Sequence, residues 1–309
     1  MGKQNGTLRA FTVNQNLPLT ANIDLIGNFK NKYENTSARE RLLKLSSATT
    51  DHEHDIINTA NFENNVVFCS LMRLDLDINA RNVPDALLDE NSFPFDSLQS
   101  EETRSNIYKK HFYFCFNNKY LISTLPGNYT IGSFQTYINW LLQSVDRPYE
   151  INPLAKSNNE IKLSNIKSII FGPTTNSSSH GTSSQEISFT SKVISLGLDK
   201  IKSLLNDTIS LSSDELTQIV SAKLLLSIQK PKLMSEEEYQ RKFGAIMKPI
   251  ADGENIQYET TNGKKIKSHT ILVTKPIEID LTDKGFTEEE QLRQKMIGFL
   301  RELENDAQN

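Results

Sequence analysis

Phenylalanines alternate with Tyr113 and Cys115 over residues 112–116, where the sequence is FYFCF. A period of two is typical of a β-strand, and apolar character returns at 120–125, after Asn117-Asn118, a pair that tolerates positive φ. The pattern predicts a β-hairpin with an aromatic first strand. Similar patterns predict further strands at residues 8–13, 66–76, 161–171 and 223–230.

A second hairpin is predicted at Asn262-Gly263, because this residue pair favours a type I′ turn. Its strands are expected at 256–261 and 265–274. Three lysines, at positions 264, 265 and 267, follow the turn directly. We call residues 256–274 the basic hairpin.

Apolar residues recur at helical spacing in four segments. The pairs Ser235/Glu238 and Thr287/Glu290 have the spacing of capping boxes, which indicates where two of the helices begin. Arg147-Pro148 ends an earlier amphipathic segment. The predicted helices are 131–145, 193–205, 235–247 and 287–303.

Short strands and helices alternate without an internal repeat, which predicts an α+β fold. Residues 148–160 are rich in Pro, Asn and Ser, as is typical of a boundary. We therefore predict two mixed sheet-and-helix lobes. Residues 1–150 form an N-terminal domain with the aromatic hairpin and an amphipathic helix, and residues 151–309 form a C-terminal domain with the basic hairpin and the last helix.

The 309-residue chain has 34 Lys and Arg against 38 Asp and Glu, a formal charge of -4, which excludes a uniformly basic, histone-like binder. The charge is nevertheless uneven. Residues 51–102 contain twelve acids and two bases, whereas residues 223–275 contain ten bases and six acids. Any nucleic-acid surface must therefore be local and lie in the later half of the chain.

The two cysteines, Cys69 and Cys115, are too few for a disulfide framework or a four-thiolate metal site, which favours a reducing, cytoplasmic compartment. The first residues lack the apolar core of a signal peptide. No stretch approaches the roughly 18 apolar residues that a membrane span needs.

The segment 51–55 (DHEHD) contains imidazoles and carboxylates that suit a metal, and His52 and His54 would share one side of an extended chain. The preceding residues, 46–50, have the composition of a loop, however, and no distant cysteine or histidine completes a site. A metal-dependent nuclease would instead need acids on strands beside a lysine. The pairs Asp75/Asp77 and Glu278/Asp280 alternate suitably but lack that lysine, so a solvated strand face explains them better.

A nucleotide-binding loop of the Gly-x-x-x-x-Gly-Lys-Ser/Thr type does not occur in the sequence. His180 beside Ser178 lacks the nucleophile elbow and the oriented acid that a hydrolase requires. We therefore predict no catalytic residue, no metal and no cofactor, and no small-molecule substrate.

The basic hairpin is the strongest indication of function. Flexible ammonium groups beside a turn reach phosphates without contacting base edges, although lysines also protect an edge strand from unwanted pairing. Bases on the preceding loop and helix extend the same patch. The residues predicted to contact DNA are Lys230, Lys232, Arg241, Lys242, Lys264, Lys265 and Lys267.

Several segments together resemble the RexA proteins of temperate-phage exclusion systems. The resemblance covers most of the chain and includes the order of strand, hairpin and helix from Lys223 to Leu303. Its segments are the aromatic hairpin with the helix after it, Asn152-Pro153-Leu154, residues 170–175 (IFGPTT) and, most of all, residues 228–233 (IQKPKL).

This resemblance implies a cytoplasmic, non-enzymatic homodimer that binds duplex DNA with little sequence preference. It would sense phage DNA complexes and signal to a RexB-like membrane protein that forms an ion channel, causing abortive infection as an antiviral defence. A more distant, fold-level analogy is to the RdgC group, which encircles DNA as a dimer. Two alternatives remain open at this point: a metal-dependent nuclease effector and a protein-interaction adaptor.

Overall fold

The computed structural model describes residues 2–15, 23–44, 53–75, 88–92, 108–125, 131–146, 148–156, 161–171, 224–247, 256–267, 271–282 and 287–306. The chain packs as two compact units. Unit 1 comprises residues 1–126, 131–152 and 274–309, and unit 2 comprises residues 127–130 and 153–273. Both contain helices and antiparallel sheets, which confirms the mixed α+β class.

Strands and helices alternate along the described chain, with short 3₁₀ turns at Arg39–Arg41 and Leu163–Asn165. In chain order the elements are β1 (Lys3–Gln15), α1 (Leu25–Glu34), β2 (Leu43–Lys44), β3 (Glu53–Glu63), β4 (Val66–Asp75), β5 (Tyr108–Phe116), β6 (Tyr120–Ser123), α2 (Gly132–Leu141), β7 (Tyr149–Pro153), β8 (Ile166–Phe171), β9 (Leu224–Ser227), α3 (Glu236–Met247), β10 (Ile256–Thr260), β11 (Lys265–Lys267), β12 (Thr274–Asp280) and α4 (Glu289–Asp306).

The domain division at residue 150 needs one correction. The chain does pass from unit 1 to unit 2 after Asn152, but it returns, and residues 274–309 pack in unit 1. The reason is a long-range pairing, because β12 lies antiparallel to β1 with Lys3 opposite Asp280. Unit 2 is therefore an insertion within unit 1 rather than a C-terminal half.

Unit 1 is built on a curled antiparallel sheet with helices on both faces. The strand order is β12-β1-β6-β5-β4-β3-β2, and β7 also pairs with β1. Alternate side chains of β5 point to opposite faces of the sheet. On one face Phe114 stacks on Phe134 of α2, with 3.9 Å between the ring centroids. On the other face the Tyr113 hydroxyl donates a hydrogen bond to the Glu289 carboxylate of α4 at 3.0 Å. The aromatic strand is consequently buried on both sides.

Two asparagine turns in unit 1 differ from expectation. Asn64 and Asn65 both adopt positive φ, 48° and 60°, and join β3 to β4 as a two-residue turn that was not predicted. The predicted positive-φ turn at Asn117-Asn118 does not form. There the Asn117 side-chain oxygen accepts hydrogen bonds from the backbone N–H groups of Lys119 and Tyr120, both at 2.8 Å, so a side-chain contact makes the turn.

Helix α2 ends earlier than its apolar pattern predicts. The pattern continued to Val145, but the helix stops at Leu141, and Gln143 has a positive φ of 52°. Val145 is consequently 86% exposed rather than part of the buried face. The predicted helix over residues 193–205 lies outside the described residues.

A β-bulge in β3 is held by tyrosine side chains from two helices, α1 and α2. The register with β4 shifts between Ile57 and Ala60. The Tyr33 hydroxyl donates to the Asn58 carbonyl at 2.9 Å and accepts from the Ala60 N–H at 3.2 Å, while the Tyr137 hydroxyl accepts from the Ile57 N–H at 2.9 Å. These contacts satisfy backbone groups that the bulge removes from the sheet ladder.

Arg41 is fully buried beside this bulge, with 0% of its surface exposed. Its guanidinium donates to backbone carbonyls of four residues and stacks on the Tyr33 ring, with the guanidinium carbon 4.3 Å from the ring centroid. The carbonyl acceptors are those of Tyr33, Thr36, Ile57 and Asn91. A single side chain thus connects the end of α1, the bulge and the segment 88–92.

A second buried charge in unit 1 is paired across two strands. Asp55 lies directly opposite Arg73 in the β3–β4 register, and the two side chains make a bidentate contact at 2.8 and 3.0 Å. Only 2% of the Asp55 side chain and 12% of the Arg73 side chain are exposed. Burial of this kind is tolerated because each charge satisfies the other.

Unit 2 contains a four-stranded antiparallel sheet in the order β11-β10-β8-β9. Helix α3 packs on it through Tyr239, Phe243 and Met247, which recur every four residues and are buried with Tyr258 of β10. The capping box at the start of α3 is partly confirmed, because the Glu238 N–H donates to the Ser235 hydroxyl at 3.1 Å.

The turn of the basic hairpin is not type I′. Gly263 has a φ of 80°, but Asn262 does not adopt positive φ, which a type I′ turn requires at both positions. The Gly263 N–H instead bonds to the Thr260 carbonyl at 2.8 Å, and the Thr260 N–H bonds to the Lys264 carbonyl at 3.0 Å. This is a three-residue loop ending in a left-handed glycine.

The positions of Cys69 and Cys115 in the sheet predict that neither thiol reacts in the folded protein. Cys69 pairs with Phe114 and Cys115 pairs with Phe68, so the cysteines lie on opposite faces of the sheet, and both are 0% exposed. Burial raises the pKa of Cys115 to about 12 and that of Cys69 well above its usual value. We expect neither thiol to react with a disulfide reagent at pH 8 until urea unfolds unit 1. Rapid modification of the native protein would contradict this packing.

Candidate nucleic-acid interface

The seven predicted DNA-contacting residues all belong to unit 2. Lys230 and Lys232 lie in the loop after β9, Arg241 and Lys242 on α3, and the three hairpin lysines on or before β11. The side chains of Lys232, Arg241, Lys242, Lys264 and Lys265 are exposed. The side chain of Lys267 is outside the described set.

Strand directions bring the loop and the hairpin turn to the same end of the sheet. Ser227, the last residue of β9, pairs with Ser168 near the start of β8, and the Ile228 N–H bonds to the Lys167 carbonyl at 2.8 Å. The Thr261 N–H of the hairpin turn bonds to the Asn165 carbonyl at 2.8 Å. Strands β11 and β9 are the two edges, about 14 Å apart at the usual interstrand spacing.

Carboxylates of unit 2 accompany several of these bases. Lys230 pairs with Glu236 at 3.1 Å, Lys242 with Glu238 at 3.1 Å, and Lys167 with Glu259 at 3.0 Å. A hydrogen bond from Lys167 lowers the pKa of Glu259, and nearby Lys265 adds to the effect. Exposed pairs of this kind are worth little and exchange readily with solvent ions.

Two bases of the predicted set have no carboxylate partner within the part of the chain that the structure describes. They are Lys232 in the loop and Arg241 on α3, both exposed. Lys242, by contrast, pairs with Glu238, which lies four residues before it and therefore one turn away on the same helix. The patch is therefore basic with interspersed acids rather than uniformly basic.

Charge is distributed unequally between the two units. Over the full sequence, unit 2 contains 15 Lys and Arg and 12 Asp and Glu, a formal charge of +3. Unit 1 contains 19 Lys and Arg and 26 Asp and Glu, a formal charge of -7. The acidic character of the whole chain thus conceals a positively charged unit.

The metal and nuclease candidates do not assemble in the described residues, where no group of three or more His, Cys, Asp or Glu is placed to hold a metal ion. His54 lies on β3 opposite Leu74, and Asp55 is engaged by Arg73. Glu278 pairs with Lys3, and Asp280 accepts from Gln291 at 2.7 Å. Other candidates lie outside the described residues, namely His52, Asp77, Ser178 and His180.

Unit 1 has a cleft of about 310 Å³ beside the β3 bulge, which the sequence did not predict. Arg293 of α4 lies in it, bonded to Glu63 and Glu290 at 2.9 and 2.8 Å. These acids occupy the guanidinium, so the cleft does not offer it to a phosphate. The remaining lining residues are Tyr33, Thr59, Ala60, Asn61, Phe68, Ser92 and Glu289.

No protein-family model and no curated protein matches the chain. Among the described helices, none has both the length and the apolar character needed to cross a bilayer.

Proposed function

We propose that the protein binds duplex DNA through the end of the unit 2 sheet, with little sequence preference. The observation that carries this proposal is the charge division, +3 for unit 2 against -7 for unit 1. Binding that neutralises phosphates releases condensed counterions, which supplies most of the affinity of sequence-independent binders.

The chemistry of the surface favours backbone contact over base recognition. Its charged groups are mostly lysines on a turn, a loop and a helix, and a lysine binds phosphate as a flexible point charge. The exposed large apolar side chains among the described residues of unit 2 are Leu233 and Ile246, neither of them aromatic. A surface for single strands would present aromatic rings on which bases stack.

The resemblance to RexA proteins extends this proposal to a biological role. In that role the protein is a cytoplasmic DNA sensor of a phage exclusion system and transmits its bound state to a RexB-like membrane channel. We further propose that it acts as a homodimer, because two copies of the unit 2 surface on one duplex would increase the number of phosphates neutralised and steepen the salt dependence.

Replacing Lys264, Lys265 and Lys267 together with glutamine is expected to weaken binding to every duplex sequence by about 10- to 100-fold. The slope of log K against log salt should become shallower by about 2 to 3, because each lost phosphate contact removes about 0.9. Fluorescence anisotropy with two unrelated 30-base-pair duplexes, titrated at several salt concentrations, measures both quantities.

The matched control removes the same charge from unit 1 by replacing the exposed Lys30, Lys44 and Lys119 with glutamine. The control should bind like the wild type. Equal weakening by both triple variants would indicate a general charge effect, and unchanged binding by the hairpin variant would show that the site is wrongly assigned.

A further inference from the structure

Leu233 is fully exposed to solvent, with a relative exposure of 102%. It lies in the loop between β9 and α3, where the sequence from Lys230 is KPKLMS. The loop leaves the same sheet end as the basic hairpin turn, because Ile228 continues from β9 beside Lys167. The exposed leucine therefore belongs to the surface that we propose for DNA.

The loop holds Leu233 in a defined position. On one side of it Ile228 packs against the unit 2 core, and on the other side Met234 does the same. The Met234 N–H bonds to the Pro231 carbonyl at 3.1 Å, which closes a turn around Leu233, and Lys230 pairs with Glu236 across the loop. The backbone that presents Leu233 therefore has little freedom to lose when it binds.

The neighbours of Leu233 indicate what it contacts. Lys232 precedes it directly, and Lys264 and Lys265 lie at the same end of the sheet. Ammonium groups flanking one apolar side chain complement a duplex, in which phosphates surround stacked bases. One leucine offers too little apolar surface to hold a protein on a lipid bilayer.

We propose that Leu233 inserts as a wedge between two neighbouring base pairs of the bound duplex, entering from the minor groove. Apolar wedges of this kind partly unstack a base step and kink the DNA toward the major groove. This inference rests on the proposed DNA binding, and it adds that binding deforms the duplex. Easily unstacked pyrimidine–purine steps would then be preferred, which gives weak selectivity without hydrogen bonds to bases.

The test uses a duplex carrying 2-aminopurine at a TA-rich centre, whose fluorescence rises when the base unstacks. Wild-type protein should raise the fluorescence about 2- to 5-fold at saturation. Leu233→Ala should abolish the rise and weaken binding about 3- to 10-fold, yet leave the salt slope unchanged because no charge is removed. Ile246→Ala, an exposed apolar side chain of α3 in the same unit, is the matched control and should behave like the wild type.

Four results would overturn the wedge. If wild-type protein binds the duplex without a fluorescence rise, or if Leu233→Ala retains the rise, Leu233 does not insert, while the proposed DNA binding stands. If wild-type protein fails to bind duplex even at low salt, both proposals fail together. If Leu233→Ala loses binding to phosphatidylserine vesicles but not to duplex, the leucine serves a membrane surface instead.

Discussion

Replacing Arg41 with methionine is expected to lower the free energy of unfolding of unit 1 by about 3–5 kcal/mol. The guanidinium donates to backbone carbonyls of four residues, those of Tyr33 and Ile57 in buried positions and those of Thr36 and Asn91 in partly buried ones. Methionine fills much of the volume but donates nothing, so the two buried carbonyls each lose a hydrogen bond that water does not replace. The end of α1, the bulge of β3 and the segment 88–92 should loosen together.

Trp140 provides a specific probe for this measurement, because it is the only tryptophan and lies on α2 in unit 1. Urea unfolding followed by its fluorescence reports unit 1, which matters in a chain of two units. Arg39→Met is the control. Arg39 lies two residues away and makes an exposed pair with Asp89 at 2.8 Å, so its loss should cost less than about 1 kcal/mol. Similar effects from both variants would contradict the role of Arg41.

Removing Arg73 in the variant Arg73→Met is expected to cost about 3–5 kcal/mol, because Asp55 then stays buried without its counter-charge. Asp55→Leu should cost less, because Glu53 still lies 3.8 Å from the Arg73 guanidinium. Trp140 fluorescence measures both losses. The double variant should recover most of the larger loss and unfold within about 1–2 kcal/mol of the wild type, since apolar neighbours on adjacent strands pack without a desolvation cost.

The cycle of these variants yields the interaction between the two side chains directly. The exposed pair of Lys275 and Glu302, at 2.6 Å, serves as the comparison, and its coupling should be below about 1 kcal/mol. If the double Asp55/Arg73 variant is as unstable as the sum of the singles, the pair is not coupled as its geometry requires.

Local features of the sequence predicted the local structure well. The period-two pattern at 112–116 forms β5, and the capping-box spacing at Ser235 marks the start of α3. These features succeed because the residues that decide them are close in the chain. Asn64 and Asn65 are likewise two consecutive residues that tolerate positive φ, yet no turn was predicted there.

Long-range features could not be predicted in the same way. Nothing near Thr274 indicates that β12 pairs with β1, because both strands have ordinary alternating patterns. Arg41 is flanked by Glu40 and has the composition of an exposed turn. Its burial depends on carbonyls at positions 33, 36, 57 and 91, which only the folded chain brings together.

The candidate interface likewise combines features that are visible in the sequence with features that only folding produces. The lysines themselves are visible in the sequence, but their arrangement at one sheet end follows from the order β11-β10-β8-β9 and from the antiparallel directions of those strands. The exposure of Leu233 is equally a result of folding, since the adjacent Met234 is drawn toward the core.

The pairing of β12 with β1 has a consequence during synthesis on the ribosome. Strand β1 emerges before its partner β12, which follows roughly 270 residues later. At about 5–20 residues per second, β1 waits on the order of 15–50 s with one hydrogen-bonding edge open. Unit 2 is complete in the nascent chain before that edge is closed, so the inserted unit can finish folding before the unit that contains it.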